Sequence, residues 1–296
     1  MRPRLAVLVM ALMVVGCSPT GPVAMVDGTP IEWDELRALH PEGADVDAEE
    51  QASSVFLLIL HQLVVQAASD EFGVVPTETE IDAAFEDRTD GYADVDAVLT
   101  ERGVTRTRVR LEAELDVIRR KIEEAMVRSG WPGTDLDEAY RDFLAANSNA
   151  CLVVLTLADE ALVDPIQQRV DDGDDLDDIF ATYPDRTARI DMGCRSPIAH
   201  GTELAPVALD GEVGRSYARH PQAGGVYVVK VVERTAPPME EVQEQVLELA
   251  ITTQGPDLFT AWAADLLRGA DVEVNESVGR WTTVAESGDV PIVATG

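Results

Sequence analysis

The side chains best suited to nucleophilic, redox or metal chemistry are three cysteines and four histidines in 296 residues. Cys151 and Cys194 are 43 positions apart. In an oxidising compartment they can form a disulfide, worth roughly 4 kcal/mol on the chain-entropy account, although pairing cannot be read from spacing. With His200 and His220 they can also be imagined around zinc. None of the four sits at the short paired spacing of structural zinc sites, which speaks against that reading. The acidic run from Asp171 to Asp178 invites calcium, but it lacks the EF-hand spacing and closing glutamate and reads as a solvated helix start. His61, on an apolar background, reads as a hydrogen-bonded core residue, and His200 and His220 as solvated loop residues. No metal or cofactor is expected.

The third cysteine has a different setting. Arg2 and Arg4 precede an apolar run at 5–15, and Val14-Val15-Gly16-Cys17 follows. The run is too short to remain as a membrane span. The small residue before Cys17 resembles a bacterial lipobox, which implies a leader over 1–16, a diacylglyceryl group on Cys17, a tether over 17–22 and a place in the cell envelope. Acidic residues outnumber basic ones 55 to 23, giving a net charge of -32, or -34 once Arg2 and Arg4 leave with the leader. Repulsion excludes nucleic acid as a partner. Lys121 and Lys230 are the only lysines, the other 21 basic residues being arginine.

The elements follow from periodicity and punctuation. Val23-Ala24-Met25-Val26 before Asp27-Gly28 reads as a strand, and Thr29-Pro30-Ile31-Glu32 as a helix start. Residues 48–72 form a long helix stopped by Gly73, apolar nearly all round and so buried by other helices; His61-Gln62 interrupt it, and it is too short for a membrane span. Thr77 and Glu80 form a capping box before Ile81, Ala84 and Phe85. Leu111, Leu115, Ile118 and Ile122 make one helical stripe; Thr134-Asp135 opens a further helix carrying Tyr140, Phe143 and Leu144. Between 150 and 233 lie two strand-like ends, an acidic helical segment and the turn-like Ile190-Asp191-Met192-Gly193. Pro237-Pro238 then precede two helical stripes, and Ala270 to Val274 alternate like a strand. Stripes before 149 and after 236 cannot be buried locally, so they are expected to pack on one another. The fold class is α+β: a mostly helical domain from both chain ends (23–149 and 236–275), an inserted antiparallel-sheet domain (150–235), and a largely disordered tail (276–296).

Several of these stretches, taken in order, resemble the SurA and PrsA family of exported chaperones: Val23 to Ile31, Phe72 to Ile81, Arg102-Gly103-Val104-Thr105, and Thr134-Asp135 with Glu138-Ala139-Tyr140. That resemblance implies that the inserted domain is a parvulin-type peptidyl-prolyl isomerase. Ile190-Asp191-Met192-Gly193 stands where the family has G-D-L-G, Gly211-Glu212-Val213 matches a G-E-V turn, and residues 225–231 match the last strand. The two active-site histidines of the family are missing: the first strand offers Leu152 or Val153, the last offers Tyr227. Asp185 is nearest to the acidic or cysteine position, and the P-x-F segment of the proline pocket is replaced by Glu203 to Leu209, which has no phenylalanine. The resemblance thus implies a lipid-anchored folding factor that binds unfolded exported polypeptides with reduced or lost isomerase activity. A non-catalytic lipoprotein scaffold for a folded envelope partner is the competing reading.

Overall fold

The structure is a computed structural model that describes residues 21–157, 159–220, 226–282 and 292–294. The leader over 1–16 and Cys17 lie outside the described residues. In chain order the elements are β1 (Ala24–Val26), β2 (Thr29–Ile31), α1 (Trp33–Ala38), α2 (Ala48–Phe72), α3 (Glu78–Thr89), α4 (Val95–Glu101), α5 (Arg106–Ser129) and α6 (Leu136–Asn147). They continue with β3 (Asn149–Leu157), α7 (Val163–Asp171), α8 (Leu176–Thr182), β4 (Thr187–Arg195), α9 (Ala205–Asp210), β5 (Ser216–Arg219), β6 (Val226–Thr235), α10 (Met239–Thr253), α11 (Gly255–Gly269), β7 (Val272–Val274), β8 (Gly279–Trp281) and β9 (Ile292–Ala294). Described residues up to Ile122, with those from Phe259 onward, form one compact unit; Glu123–Leu258 form the other. These borders fall inside α5 and α11, whereas the sequence reading puts them at 149/150 and 235/236.

In the first unit a three-stranded antiparallel sheet has the order β2-β1-β7. Asp27 and Gly28 turn β1 into β2 with φ of 47° and 78°. The mirror-image turns that match strand twist require positive φ, which is why an Asp-Gly pair stands here. The Asp27 carboxylate also accepts from the Asp271 amide at 2.9 Å, tying the turn to β7. Against this sheet lies α2, capped by the Asp47 carboxylate at its start and by left-handed Gly73 (φ 64°) at its end. Val55, Ile59, Val64 and Ala68 on α2 are completely buried. Val55 and Ile59 share a core with Ile31, Leu36, Leu267 and Val278. At 25 residues α2 is long and apolar enough to cross a membrane, so length gives no argument against a span; half of its apolar window is buried within the protein. Across α3 and α5, Arg88 reaches Glu112 and Asp116, Arg110 reaches Glu78 and Asp82, and Lys121 reaches Glu80.

The second unit is built on a four-stranded antiparallel sheet of order β4-β3-β6-β5. One face buries Val153, Leu155, Leu157, Val226 and Val228 under Ile166 of α7 and Leu176 and Ile179 of α8. The opposite face buries Ala150, Leu152, Val154, Val229 and Val231 against Leu204, Val207 and Ala208. Beside the sheet, Val127 of α5, Ala139 and Tyr140 of α6, and Val242, Val246 and Ala250 of α10 form their own core. This is the expected packing of a stripe before 149 on one after 236. Each fully buried aliphatic side chain contributes about 1.5–3 kcal/mol, so these layers dominate the unit's stability.

Four sequence expectations are corrected. Thr29–Ile31 is a strand rather than a helix start; pairing with β1 captures it, and the capping box moves to Glu32 and Glu35. Ile190-Asp191-Met192-Gly193 is not a turn between elements but lies within β4, where pairing with β3 shifts register between Leu152 and Val153 and leaves Met192 as the extra residue. Gly193 takes φ 68° and donates its amide to the Asp191 carboxylate at 2.9 Å, so the turn-forming residues make a bulge instead. The tail expected to be disordered contains β8 and β9, which pair antiparallel, and Val278, which is buried in the first unit's core. His200, expected to be solvated, is buried.

Cys151 and Cys194 are joined in a disulfide. They stand directly opposite each other in the β3–β4 register. Replacing both by serine is expected to lower the unfolding free energy by about 2–4 kcal/mol. Urea unfolding of the mature chain checks this, and an equal loss on adding reductant to the wild type would attribute it to the bond.

Candidate functional site

Directly opposed residues in antiparallel strands project to one face of the sheet, and faces alternate along each strand. The registers therefore set out the α9 face in rows. One row runs Ala188, Thr156, Tyr227, Arg219. The next runs Ile190, Val154, Val229, Tyr217, and the one beyond holds Gly193, Leu152 and Val231. Val207 and Ala208 of α9, with Leu204 before it, pack over the rows of Val154 and Leu152. Toward the Tyr227 row the face opens: Thr156, Tyr227 and Arg219 are half-buried, and Ile190 is 44% exposed.

The residues singled out from the sequence are not brought together. Leu152 is completely buried in the core of this face and cannot touch a ligand. Tyr227 is on the same face but opposite Thr156, four positions along β3 from Leu152, which is about 13 Å at the usual strand rise. Asp185 is exposed in the link between α8 and β4, two residues before Thr187, whose partner is Leu157. It therefore lies at the Tyr227 end of the sheet. Cys151 and Cys194 form the disulfide near the other end. The first-strand residue facing Tyr227 is Thr156, which sequence reasoning missed. The register that selects it includes a second shift, between Cys151 and Leu152 against β6, which leaves Val232 as an extra residue.

Local sequence explains how the open end is held. Gly211, in the G-E-V segment, has no room for a side chain: a Cβ there would lie 2.6 Å from the Val207 carbonyl oxygen. The Glu212 amide donates to the Tyr217 hydroxyl at 2.6 Å, and the Arg215 guanidinium lies over the same ring, 5.5 Å from its centroid. Tyr217 is thereby fixed as the wall between the covered and uncovered rows. What remains at the open end is a phenol, a threonine hydroxyl and a guanidinium beside aliphatic carbon. These groups can hydrogen-bond an extended peptide and cover an apolar side chain. No imidazole stands in these rows.

The histidines lie elsewhere. The His200 Nε2–H donates to the Ala150 carbonyl at 2.8 Å, which leaves Nδ1 as a buried acceptor without a partner. Ala150 is six positions along β3 from Thr156, about 20 Å away. His220 is exposed and lies 3.2 Å from the Gln167 amide oxygen. In the first unit, His61 is half-buried and its Nε2 lies 3.0 Å from Glu114, close to the hydrogen-bonded role expected. No group of three or more potential metal ligands occurs among the described residues.

No protein-family model matches this chain. No curated protein matches it either. Similar solved structures include the peptidylprolyl isomerase PrsA from Bacillus cereus, at 17% identity over 81% of this chain and 94% of that one, with a TM-score of 0.47. Another is one of the SurA-like chaperones described for Campylobacter jejuni, PEB4 and Cj1289, at 14% identity over 86% of this chain and 98% of that one, TM-score 0.32. The foldase PrsA from Streptococcus pneumoniae is 12% identical over 76% of this chain and 88% of that one, TM-score 0.33.

Burial holds the His200 pKa below the ordinary histidine value, with the Arg195 charge adding to the effect and the Ala150 bond opposing it. A group whose folded pKa is depressed binds its proton more readily when unfolded, so stability falls as pH drops through the unfolded histidine value and below. His200→Gln is expected to flatten the part of that pH dependence between about pH 6.5 and the lower folded value. Unfolding free energies of the two proteins across pH 5–8 check it.

Proposed function

We propose that this chain is an extracytoplasmic folding factor that holds extended segments of unfolded polypeptide on the uncovered end of the β3–β6 sheet face, with little prolyl isomerase activity of its own. The observation that carries the reading is the row Ala188, Thr156, Tyr227, Arg219, half-buried from Thr156 to Arg219, with the Tyr227 hydroxyl where the family resemblance would put one imidazole and the Thr156 hydroxyl directly opposite it. The ordered sequence motifs shared with exported chaperones support the same reading. So do the likenesses in name only to the extent of binding: PrsA is called a foldase and the Campylobacter proteins chaperones.

Prolyl isomerisation crosses a barrier of about 20 kcal/mol and needs neither nucleophile nor metal. A protein lowers it by holding the twisted amide better than the planar one. On this face the Thr156 and Tyr227 hydroxyls and the Arg219 guanidinium are the polar groups available to do so. Tyr227→His alone restores one imidazole facing a threonine; with Thr156→His the pair stands on directly opposed residues. The double variant is expected to raise the isomerisation rate of a prolyl peptide about tenfold over wild type, the ~1.4 kcal/mol of one added polar contact to the twisted amide. A wild-type rate already matching an active parvulin, measured in the same coupled assay, would overturn the low-activity part. The mature chain is also expected to suppress aggregation of an unfolded client at severalfold excess, and no suppression would overturn the binding part. Stoichiometric capture of one folded envelope protein would favour the scaffold instead.

The anchor belongs to this proposal as well. Lipid on Cys17 would keep the chain in the membrane fraction, and Cys17→Ser is expected to move it to the soluble fraction while leaving aggregation suppression intact. Fractionation and intact mass of both forms check this.

A further inference from the structure

The guanidinium of Arg219 stands out in a chain with 55 acidic and 23 basic residues. Other basic residues of the second unit are engaged: Lys230 with Asp175, Arg169 with Asp174, Arg189 with Asp177, Arg128 with Glu244 and Arg186 with Asp159, while Arg195 and Arg234 donate to the Met192 and Gly211 carbonyls. Arg219 has no ion pair or hydrogen bond among the described residues. It is nevertheless half-buried, at the end of β5. Its partner in the register is Tyr227, and it follows Tyr217 by two positions, so it projects onto the α9 face at the open end. The alternation is independently fixed by Ala218, which packs on the opposite face.

We infer that Arg219 makes this shelf selective for peptide segments that carry a carboxylate beside an apolar residue. The inference rests on the peptide-binding reading above and names the chemistry of what is bound. The half-buried Tyr227 ring, with the exposed Ile190 across the sheet, takes the apolar side chain, and the row of Thr156, Tyr227 and Arg219 ends in the one cation of the second unit that has no partner among the described residues. A chain of this net charge repels acidic segments over most of its surface, so an uncompensated guanidinium beside apolar surface gives such a segment a place to dock on this face. Guanidinium and carboxylate match as a two-pronged hydrogen-bonded pair, which a glutamine or a lysine on the ligand cannot reproduce. The carboxylate can belong to an Asp or Glu side chain or to a free chain end.

The test uses the full mature chain and fluorescently labelled hexapeptides of leucine and proline, with both ends blocked, that differ in one glutamate, glutamine or lysine. Fluorescence anisotropy at low salt is expected to show the glutamate peptide binding about fivefold more tightly than the glutamine peptide, with lysine weakest, as one partly exposed ion pair provides. The difference should close near 1 M salt. Arg219→Lys should retain part of the preference and Arg219→Gln abolish it, with unchanged circular dichroism. A glutamine peptide with a free carboxyl end, tightened in wild type and not in Arg219→Gln, would assign the same site to chain ends. Equal binding of glutamate and glutamine peptides, or a preference that survives Arg219→Gln, overturns the inference while leaving the peptide shelf standing. Absence of binding by every peptide overturns the shelf and the inference together.

Discussion

The pairing of β3 on both its edges is the constraint from which the second unit follows. This strand is hydrogen-bonded to β4 and β6 along nearly its whole length, and its residues alternate between two cores. Because side-chain direction has a period of two, a slip of one residue would exchange the contents of the two faces. The shifts beside Leu152 use up one extra residue on each flanking strand, Met192 and Val232, and everything beyond them is set by that count. Which residue faces Tyr227, which rows α9 covers and where the face opens are consequences of this register.

Much of the fold could be read from local patterns. The Thr77–Glu80 capping box, the Asp27-Gly28 turn and the long apolar α2 ending at Gly73 are local devices, and each appears as its residues suggest. So do the strand at 272–274 and the packing of α6 on α10. What could not be read was set across the chain. Thr29–Ile31 has the residues of a helix start, but the hairpin with β1 takes them first. Ile190 to Gly193 has the residues of a turn, and a long strand absorbs them as a bulge. The site suffered most, since the partner of Tyr227 depends on the β3–β6 register and its shift beside Leu152, which no periodicity reveals. Leu152 and Val153 are as good a guess as Thr156 from an apolar run, and only pairing decides.

The strongly acidic composition is handled by fixing arginines between carboxylates rather than by spreading ammonium groups. Arg88 and Arg110 each span two acidic residues between α3 and α5, and Arg128 bridges Glu124 and Glu244. Guanidinium suits this because its donors lie in a fixed fork that serves two partners at once. Exposed pairs of this kind contribute little each, and their value to the molecule is in relieving like-charge repulsion along facing helices.

The central strand of the first unit has a consequence for the order in which the protein is made. β1 occupies residues 24–26, yet its second edge is completed by β7 at 272–274. A chain emerging from its N-terminus must therefore hold β1, with one edge unsatisfied, until almost all of the polypeptide has been delivered. The β3–β6 sheet needs no residue outside 149–235 for its pairing and can close while that wait continues. The β3–β6 sheet can thus complete its pairing before the first strand of the chain has both of its edges satisfied.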